Sequence, residues 1–335
     1  MHWTLIGASD IAATRVIPAL RTLGHEPVGV MSSSPERARR YANEHGIGLH
    51  TTDLAEALGW DADAVYISTT NELHRDQAIA AAAVGRHVLC EKPLALEVAD
   101  AGAMIDAARQ AGVVLATNHH LRCAATVRAV ARLVAEGRIG ELVSLRINHA
   151  VLLPERLRGW RLDRSRPGGG VILDITVHDA DVVRFITGDE VEEVRTLVAN
   201  RGLAIDGLED SAMTVARLCS GVLVTTHESF AVPAAHTSVE VHGRDGSIYA
   251  TEVLTQDPVG DVVIRTAGGD EQVDVGEREN LYVVALREFA AAVRGEGSPA
   301  ASGEDGAASL AIALAALESA RTGRTARPAF HAVIA

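Results

Sequence analysis

A carboxylate and an imidazole stand four residues apart in the segment that follows Gly168-Gly169-Gly170. At this spacing Asp174 and His178 share one face of a helix, and Asp181 follows at i+7 on the same face. A carboxylate beside an imidazole favours the protonated ring and fixes its tautomer. The pair therefore suits proton transfer to a substrate oxygen. The alternative is a surface i, i+4 pair of small energetic value.

A lysine stands in Glu91-Lys92-Pro93, directly after the apolar strand HVLC. Open parallel sheets bind ligands at the carboxyl ends of their strands. We therefore expect Lys92 to hydrogen-bond a substrate hydroxyl or carbonyl, while Pro93 ends the strand and fixes the chain direction. The alternative is an ordinary exposed charge at a strand end.

The first apolar run ends in Gly7-Ala8-Ser9-Asp10-Ile11-Ala12. A glycine-rich turn at this place lets a pyrophosphate approach the N-terminus of a helix. The segment departs from GxGxxG at two positions. Gly7 keeps the tight turn, Ser9 offers a hydroxyl in place of the second glycine, and Ala12 stays small enough for packing of the helix on the strand. A purely structural turn is the alternative.

The second strand does not end in a carboxylate, although NAD-specific sites carry an acid there for the ribose hydroxyls. Three serines close this strand, and Arg37 follows in the first helical turn. We expect Ser32, Ser33 and Arg37 to bind a 2′-phosphate, which favours NADPH over NADH. Two alternatives stay open: Ser34 and Pro35 as an ordinary helix start, and Arg37 as a solvated surface residue.

Smaller polar clusters follow two other strands. Asn71 stands in STTNELH, where a role as a helix N-cap is the alternative to ligand binding. Asn118, His119 and His120 mark the passage to the second half of the chain. Neighbouring histidines on an extended chain point to opposite faces. Because no HExxH motif or cysteine cluster accompanies them, we predict no metal site.

The elements that position these residues alternate between strand and helix over residues 2–117, which is typical of a parallel sheet covered on both faces. After about residue 120, longer alternating strands predict a mostly antiparallel sheet. We therefore predict an α/β protein. An N-terminal doubly wound Rossmann domain spans residues 1–120, and a C-terminal α+β domain on a large, mostly antiparallel sheet spans residues 121–335.

The amino-acid composition limits the kinds of partner that the protein can bind. The 335 residues suffice for about two domains. The net charge of -13 repels phosphate backbones and anionic lipid, which argues against nucleic-acid and membrane partners. The three widely spaced cysteines fit reduced thiols. Since the sequence shows neither a signal-peptide pattern nor an apolar run of membrane-helix length, we expect a cytoplasmic protein.

With these motifs, the chain resembles the glucose-fructose oxidoreductase, inositol dehydrogenase and MocA (Gfo/Idh/MocA) family over essentially its whole length. The segments GASDIA, STTNELH, GRHVLCEKP, EGRIGEL and GGGVILDITVHDAD carry the resemblance. A narrower likeness within the family rests on TNHHLR, LPERLRGWRL and the serine-rich strand end before Arg37. It implies NADPH-dependent reduction of a keto sugar, 1,5-anhydro-D-fructose, to an anhydro-polyol of the 1,5-anhydro-D-mannitol type.

The resemblance implies a catalytic set of Lys92, Asp174 and His178. His178 is then the proton donor, Asp174 its orienting partner, and Lys92 holds the substrate. Asp10 departs from the expected pattern, because an acid beside a pyrophosphate must point away from it. Together with the turn and strand-end residues above, the predicted NADP(H)-binding set is Gly7, Ser9, Asp10, Ile11, Ala12, Ser32, Ser33, Arg37, Thr70, Asn71, His74, Glu91, Lys92, Asn118, Trp160, Arg161 and Tyr282.

Two other functions stay open. An NAD(P)-dependent sugar or inositol dehydrogenase of the same family would run the same residues in the oxidising direction. A noncatalytic NADP-sensing regulator fits the same fold, although it could dispense with Lys92, Asp174 and His178, all of which are present. The expected partners are a small-molecule keto sugar and a second copy of the chain, which would pair through the exposed face of the C-terminal sheet.

Overall fold

A computed structural model describes residues 1–163, 168–205 and 207–329. Within this part the chain forms two compact units. The predicted catalytic and cofactor-binding residues all fall within the described ranges. The last six residues of the predicted C-terminal domain, 330–335, lie outside them.

Unit 1 contains Met1–His120 and Asn280–Ala307. Unit 2 contains Leu121–Glu279 together with residues 308–329. The sequence placed everything after residue 120 in the second domain, whereas the structure groups residues 280–307 with the first.

Unit 1 is built on a six-stranded sheet in the order β3-β2-β1-β4-β5-β6, and every pairing is parallel. The order reverses between β1 and β4, where open parallel sheets form a ligand-binding crevice. The strands are β1 (His2–Ile6), β2 (Glu26–Met31), β3 (Leu49–Thr51), β4 (Ala64–Ile67), β5 (His87–Cys90) and β6 (Leu115–Thr117).

The crossover helices of unit 1 begin and end at residues suited to those places. Ser34 accepts a hydrogen bond from the Arg37 backbone N–H at 3.2 Å, Pro35 takes the first helical position, and Gly46 closes the helix at φ 61°. The N-cap interpretation of Ser34 is thus confirmed. The helices are α1 (Ile17–Thr22), preceded by a π-helical turn (Ala12–Val16), α2 (Pro35–His45), α3 (Leu54–Leu58), α4 (His74–Ala83), preceded by a 3₁₀ turn (Asn71–Leu73), and α5 (Val98–Ala111).

Unit 2 is built on an eight-stranded sheet in the order β14-β13-β12-β11-β7-β10-β9-β8. Only the β7–β10 pair of this order is parallel. The strands are β7 (Leu142–Ala150), β8 (Val191–Ala199), β9 (Ser211–Leu218), β10 (Leu223–Ser229), β11 (Ser238–Gly243), β12 (Gly246–Thr251), β13 (Asp261–Thr266) and β14 (Gly269–Gln272). Together the two sheets confirm the predicted fold class.

Helices cover one face of the second sheet, and side chains on its strands alternate between buried and exposed, as in β9. The helices and turns that follow His120 are a 3₁₀ turn (His120–Cys123), α6 (Ala125–Ala135), α7 (Glu155–Arg158), a 3₁₀ turn (Gly159–Leu162), a π-helical turn (Ile172–Thr176), α8 (Val177–Thr187), α9 (Leu281–Val293) and α10 (Gly303–Thr322). None of the helices in the described ranges is both long and apolar enough to span a membrane.

Helix α9 packs within unit 1, which explains the grouping of residues 280–307. The Phe289 ring lies 5.2 Å from that of Trp3 in β1. Tyr282 stacks on His120 with ring centroids 5.0 Å apart. A helical period predicts which face of α9 is buried but not which sheet it covers.

A buried ion pair fixes α8 within unit 2. The guanidinium of Arg122 donates from Nε and Nη2 to the two carboxylate oxygens of Asp181, each at 2.7 Å. The two side chains are 8% and 1% exposed. The same guanidinium lies over the Phe185 ring at 5.3 Å. Asp181, which the spacing groups with Asp174 and His178, is thus engaged by a residue from before α6.

Loss of this buried carboxylate should strongly destabilise the protein. We expect Asp181→Ala to lower the free energy of unfolding by about 3–5 kcal/mol, because a buried guanidinium loses the carboxylate that compensates it. Denaturant unfolding followed by circular dichroism measures the change. The matched control is Asp270→Ala, which removes an equally bidentate but solvent-exposed partner of Arg265 and should change stability little. Equal losses in the two variants would contradict this assignment.

Candidate active site

The turn after β1 has the conformation that the sequence predicts for Gly7. Its φ is 117°, and a Cβ there would lie 2.8 Å from the Ser68 carbonyl carbon, so only glycine fits. Ser9 Oγ donates to Ser68 Oγ at 2.7 Å and accepts from the Ala12 N–H at 3.2 Å. Ala12 is fully buried, whereas Asp10 is exposed.

The end of β2 lies beside this turn. Arg37 Nη2 donates to the Ala8 carbonyl at 2.7 Å, and Tyr41 Oη donates to the Ser9 carbonyl at 2.9 Å. Ser32 is buried and Ser33 is exposed. The structure therefore places Arg37, one of the predicted 2′-phosphate residues, against the predicted pyrophosphate turn, and Tyr41 adds a second contact from α2.

The loop after β4 holds two predicted cofactor residues, Thr70 and Asn71. Thr70 Oγ1 donates to Glu72 at 2.8 Å, and Asn71 is 4% exposed with no hydrogen-bond partner for its Nδ2 among the residues described. Thr70, not Asn71, occupies the N-cap position of the following turn, so the alternative role of Asn71 as an N-cap is wrong. A buried amide donor without a protein acceptor fits a ligand acceptor at this loop.

His74 joins the loop after β4 to the turn after β5. Its ring lies between the Pro93 carbonyl, 3.0 Å from Nδ1, and the Thr69 carbonyl, 3.3 Å from Nε2. Burial lowers the pKa of His74, while the hydrogen bonds to the Pro93 and Thr69 carbonyls oppose that effect. This geometry makes His74 a connection between two strand-end loops.

Glu91 links three neighbouring strands at the same edge. One carboxylate oxygen, Oε1, accepts from Tyr66 Oη in β4 at 2.5 Å and from Asn118 Nδ2 after β6 at 2.6 Å. Burial raises the pKa of Glu91, while the bonds from Tyr66 and Asn118 oppose that effect. Lys92 follows directly, half-buried, at the carboxyl end of β5.

The predicted residues of unit 2 lie around the glycine turn that precedes α8. Arg161 Nε donates to Asp174 Oδ2 at 3.0 Å, and its guanidinium lies 4.7 Å from the Trp160 ring centroid. Asp174 belongs to the π-helical turn, and His178, 7% exposed, follows in the first turn of α8. Single π-helical turns are frequent at functional sites.

A side chain at Gly170 would displace the carboxylate of Glu209. The φ of this glycine is 96°, and a Cβ would lie 2.1 Å from Glu209 Oε1. Glu209 in turn holds the start of the helical segment, because its carbonyl accepts from the Val171 N–H at 3.1 Å and its Oε1 accepts from the Ile172 N–H at 3.4 Å. The glycine turn thus sets the direction in which the segment bearing Asp174 and His178 begins.

The predicted catalytic residues are divided between the units. Lys92 lies in unit 1, and Asp174 and His178 lie in unit 2. The cofactor set is divided in the same way, with Trp160 and Arg161 in unit 2 and the others in unit 1. Within the described ranges, no group of three or more His, Cys, Asp or Glu side chains is arranged to hold a metal ion.

Several polar residues around these sites were not singled out from the sequence. Tyr66 donates a hydrogen bond to Glu91, and Tyr41 donates one to the Ser9 carbonyl. In unit 2, His149, Asp179 and Glu228 form a buried polar cluster. His149 and Glu228 occupy inward-facing positions of alternating strands. An ionisable residue at such a position is the pattern that could have identified them.

Two family models match the chain. Residues 1–119 match "Oxidoreductase family, NAD-binding Rossmann fold", and residues 127–249 match "GFO/IDH/MocA C-terminal domain".

Individual proteins match along most of the chain. It is 51% identical over 326 residues to the 1,5-anhydro-D-fructose reductase of Ensifer adhaerens, covering 97% of this chain and 98% of that protein. It is 33% identical over 280 residues to the myo-inositol 2-dehydrogenase of Thermotoga maritima, covering 80% of each. The solved structure of the aldose-aldose oxidoreductase from Caulobacter crescentus, in complex with glycerol, has the same fold, with a TM-score of 0.88, 24% identity and coverage of 98% and 99%.

A methyl group at Gly170 should reduce activity by more than the accompanying loss of stability explains. We expect Gly170→Ala to displace Glu209 from the Ile172 N–H and so to lower kcat about tenfold or more, because small displacements of reacting groups have large effects on rate. The control is Gly188→Ala, which also places alanine at positive φ, 64°, but meets no atom within 4 Å. Steady-state kinetics on both variants, with their melting temperatures, separate the two effects. Equal kcat in the two variants would refute the crowding argument.

Proposed function

The chain belongs to the Gfo/Idh/MocA family of sugar oxidoreductases, and we propose that it catalyses the NADPH-dependent reduction of 1,5-anhydro-D-fructose to an anhydro-polyol of the 1,5-anhydro-D-mannitol type. The observation that carries this proposal is the 51% identity to a 1,5-anhydro-D-fructose reductase over 97% of the chain. The family assignment itself makes the chain an oxidoreductase with an NAD(P)-binding Rossmann fold.

The residues at the edge of the first sheet fit an NADP(H) cofactor. The turn at Gly7 admits no Cβ, and Asn71 offers a buried amide donor. The end of β2 carries Ser32 and Ser33 without a carboxylate, and Arg37 lies against the same turn. A guanidinium and two hydroxyls fit a 2′-phosphate, whereas an acid would repel it. When bound, NADPH supplies the hydride that reduces the keto carbon.

The remaining roles belong to side chains of this protein. Lys92 holds the substrate oxygen at the carbon to be reduced. His178 donates a proton to that oxygen as the hydride arrives, so the ketone becomes an alcohol and His178 leaves the step neutral. Asp174, itself bonded to Arg161, orients His178.

A second candidate function is an oxidising sugar or inositol dehydrogenase that uses the same residues. It is favoured by the 33% identity to a myo-inositol 2-dehydrogenase. In this direction His178 would accept the proton from a substrate hydroxyl. Assaying both directions, keto sugar with NADPH and polyol with NADP⁺, discriminates between the two functions.

Pairing of two copies through the outer face of the second sheet remains part of the proposal. Leu197 of β8 and Met213 of β9 are register partners on that face, and they are 72% and 59% exposed. Neighbouring exposed apolar side chains of this kind are typical of protein interfaces.

The cofactor preference depends on one guanidinium. We expect Arg37→Ala to lower kcat/KM for NADPH about 10- to 100-fold and to leave kcat/KM for NADH nearly unchanged, because only NADPH carries the 2′-phosphate. The control is Arg40→Ala, an exposed arginine of the same helix that pairs with Glu44. Initial rates at varied cofactor concentration test this. Equal efficiency with the two cofactors in the unsubstituted protein would defeat the assignment.

The proton donor is tested by removal of its ring. We expect His178→Ala to lower kcat by about 10² to 10⁴, the usual contribution of a general acid. The affinity for NADPH, measured by fluorescence titration, should change little because most of the proposed cofactor residues lie in unit 1. His242→Ala, on the outer part of the second sheet beside Ser247, is the control. Unchanged kcat in His178→Ala would remove this residue from the mechanism.

A further inference from the structure

Three ionisable side chains meet on the buried face of the second sheet. His149 of β7 and Glu228 of β10 are register partners on adjacent parallel strands, and Asp179 reaches them from α8. Their exposures are 7%, 0% and 0%. These three residues, called here the inner-face cluster, take no part in the proposed hydride or proton transfer, yet Asp179 directly follows His178 in the chain.

Hydrogen bonding within the inner-face cluster is incomplete if both carboxyl groups are ionised. His149 Nδ1 lies 2.7 Å from Asp179 Oδ1. The second oxygen of Asp179 and both oxygens of Glu228 are buried and have no close hydrogen-bond partner among the residues that the structure describes. The nearby donors that act on Glu228 are the hydroxyls of Thr176 and Thr226. Buried carboxylate oxygens are costly without donors. One proton on Glu228 resolves the conflict, since the acid then donates to Asp179.

The electrostatic surroundings agree with this location of the proton. Burial, followed by the negative charge of Asp179, raises the pKa of Glu228 well above its usual range. Burial also raises the pKa of Asp179, but His149 opposes that effect. The titratable group that acts on Glu228 is therefore Asp179 from α8, and those that act on Asp179 are His149 from β7 and Glu228 from β10. The neighbouring strand β9 presents the uncharged Ala212 opposite Glu228.

We propose that the inner-face cluster positions His178, and that it does so with one proton held on Glu228. The role of His178 in this proposal rests on the proposed function. Asp179 joins α8 to β7 through His149, while Asp181 joins the same helix to Arg122. A side-chain hydrogen bond between Glu228 and Asp179 adds a connection to β10. Because consecutive helical residues differ by a fixed rotation of about 100°, fixing Asp179 fixes the direction in which the Cα–Cβ bond of His178 leaves the helix. Glu228, His149 and Asp179 are thus positioning residues.

Two substitutions of Glu228 separate hydrogen bonding from charge. Glu228→Gln keeps a donor for Asp179 but cannot titrate, whereas Glu228→Leu removes the donor. We expect Glu228→Gln to keep kcat near the unsubstituted value. Glu228→Leu should lower kcat about 10- to 100-fold, because His178 is misplaced. The KM for NADPH should stay unchanged in both variants, and kcat is calculated per folded protein, because a loss of folded protein alone lowers the apparent kcat without changing KM.

The proton on Glu228 is tested by the pH dependence of the free energy of unfolding. Glu228 is protonated when folded and ionised when unfolded at neutral pH, so unfolding releases one proton and stability falls as pH rises. Between about pH 5 and pH 8, we expect the free energy of unfolding to fall more steeply with pH in the unsubstituted protein than in Glu228→Gln. The difference in slope should correspond to one proton released on unfolding. Denaturant titrations at several pH values measure this slope. The control is Glu271→Gln, an exposed glutamate whose slope should match that of the unsubstituted protein.

Equal slopes for Glu228→Gln and the unsubstituted protein would overturn the proposal, as would an unchanged kcat in Glu228→Leu. If Glu228→Leu does not fold, the slope of Glu228→Gln decides alone. Lack of reductase activity in the unsubstituted protein would refute the proposed function separately, since the proton count is measured without substrate or cofactor.

Discussion

The burial of charge on one helical segment constrains the rest of unit 2. Between Ile172 and Thr187, three carboxylates point to partners on three different elements. Asp174 bonds to Arg161, Asp179 to His149, and Asp181 to Arg122. Because a buried charge without a partner is strongly destabilising, each pair restricts both the rotation and the axial position of the segment. His178 lies inside this span, so its placement follows from its neighbours.

The same constraint operates at the edge of the first sheet. Glu91 binds Tyr66 and Asn118 and so connects β4, β5 and β6, while His74 connects the loops after β4 and β5. The two proposed reacting side chains share one arrangement: Lys92 directly follows the hydrogen-bonded Glu91, and His178 directly precedes the hydrogen-bonded Asp179. In both units a bonded carboxyl group holds the backbone beside the residue that we expect to contact substrate. Rigid supporting contacts of this kind are what precise positioning of reacting groups requires.

Local patterns in the sequence were sufficient for the fold class, for the glycine turn at Gly7 and for the helix start at Ser34, because each depends on neighbours along the chain. The assignment of residues 280–307 to unit 1 depends on Phe289 meeting Trp3, a contact between distant segments that periodicity does not encode. The hydrogen bonds of Glu91 and of the inner-face cluster could likewise be predicted only if the order of the strands in each sheet were known. Short elements such as β3 and α3 contain too few residues for a periodic pattern.

The proposed function requires that Lys92 and His178 act on one substrate oxygen. The most direct test is a crystal structure of the protein with NADP⁺ and 1,5-anhydro-D-mannitol. We expect the hydroxyl on the carbon next to the nicotinamide ring to lie within about 3.2 Å of both Lys92 Nζ and a ring nitrogen of His178. A complex in which that hydroxyl contacts neither side chain, or in which His178 binds a different part of the sugar, would contradict it.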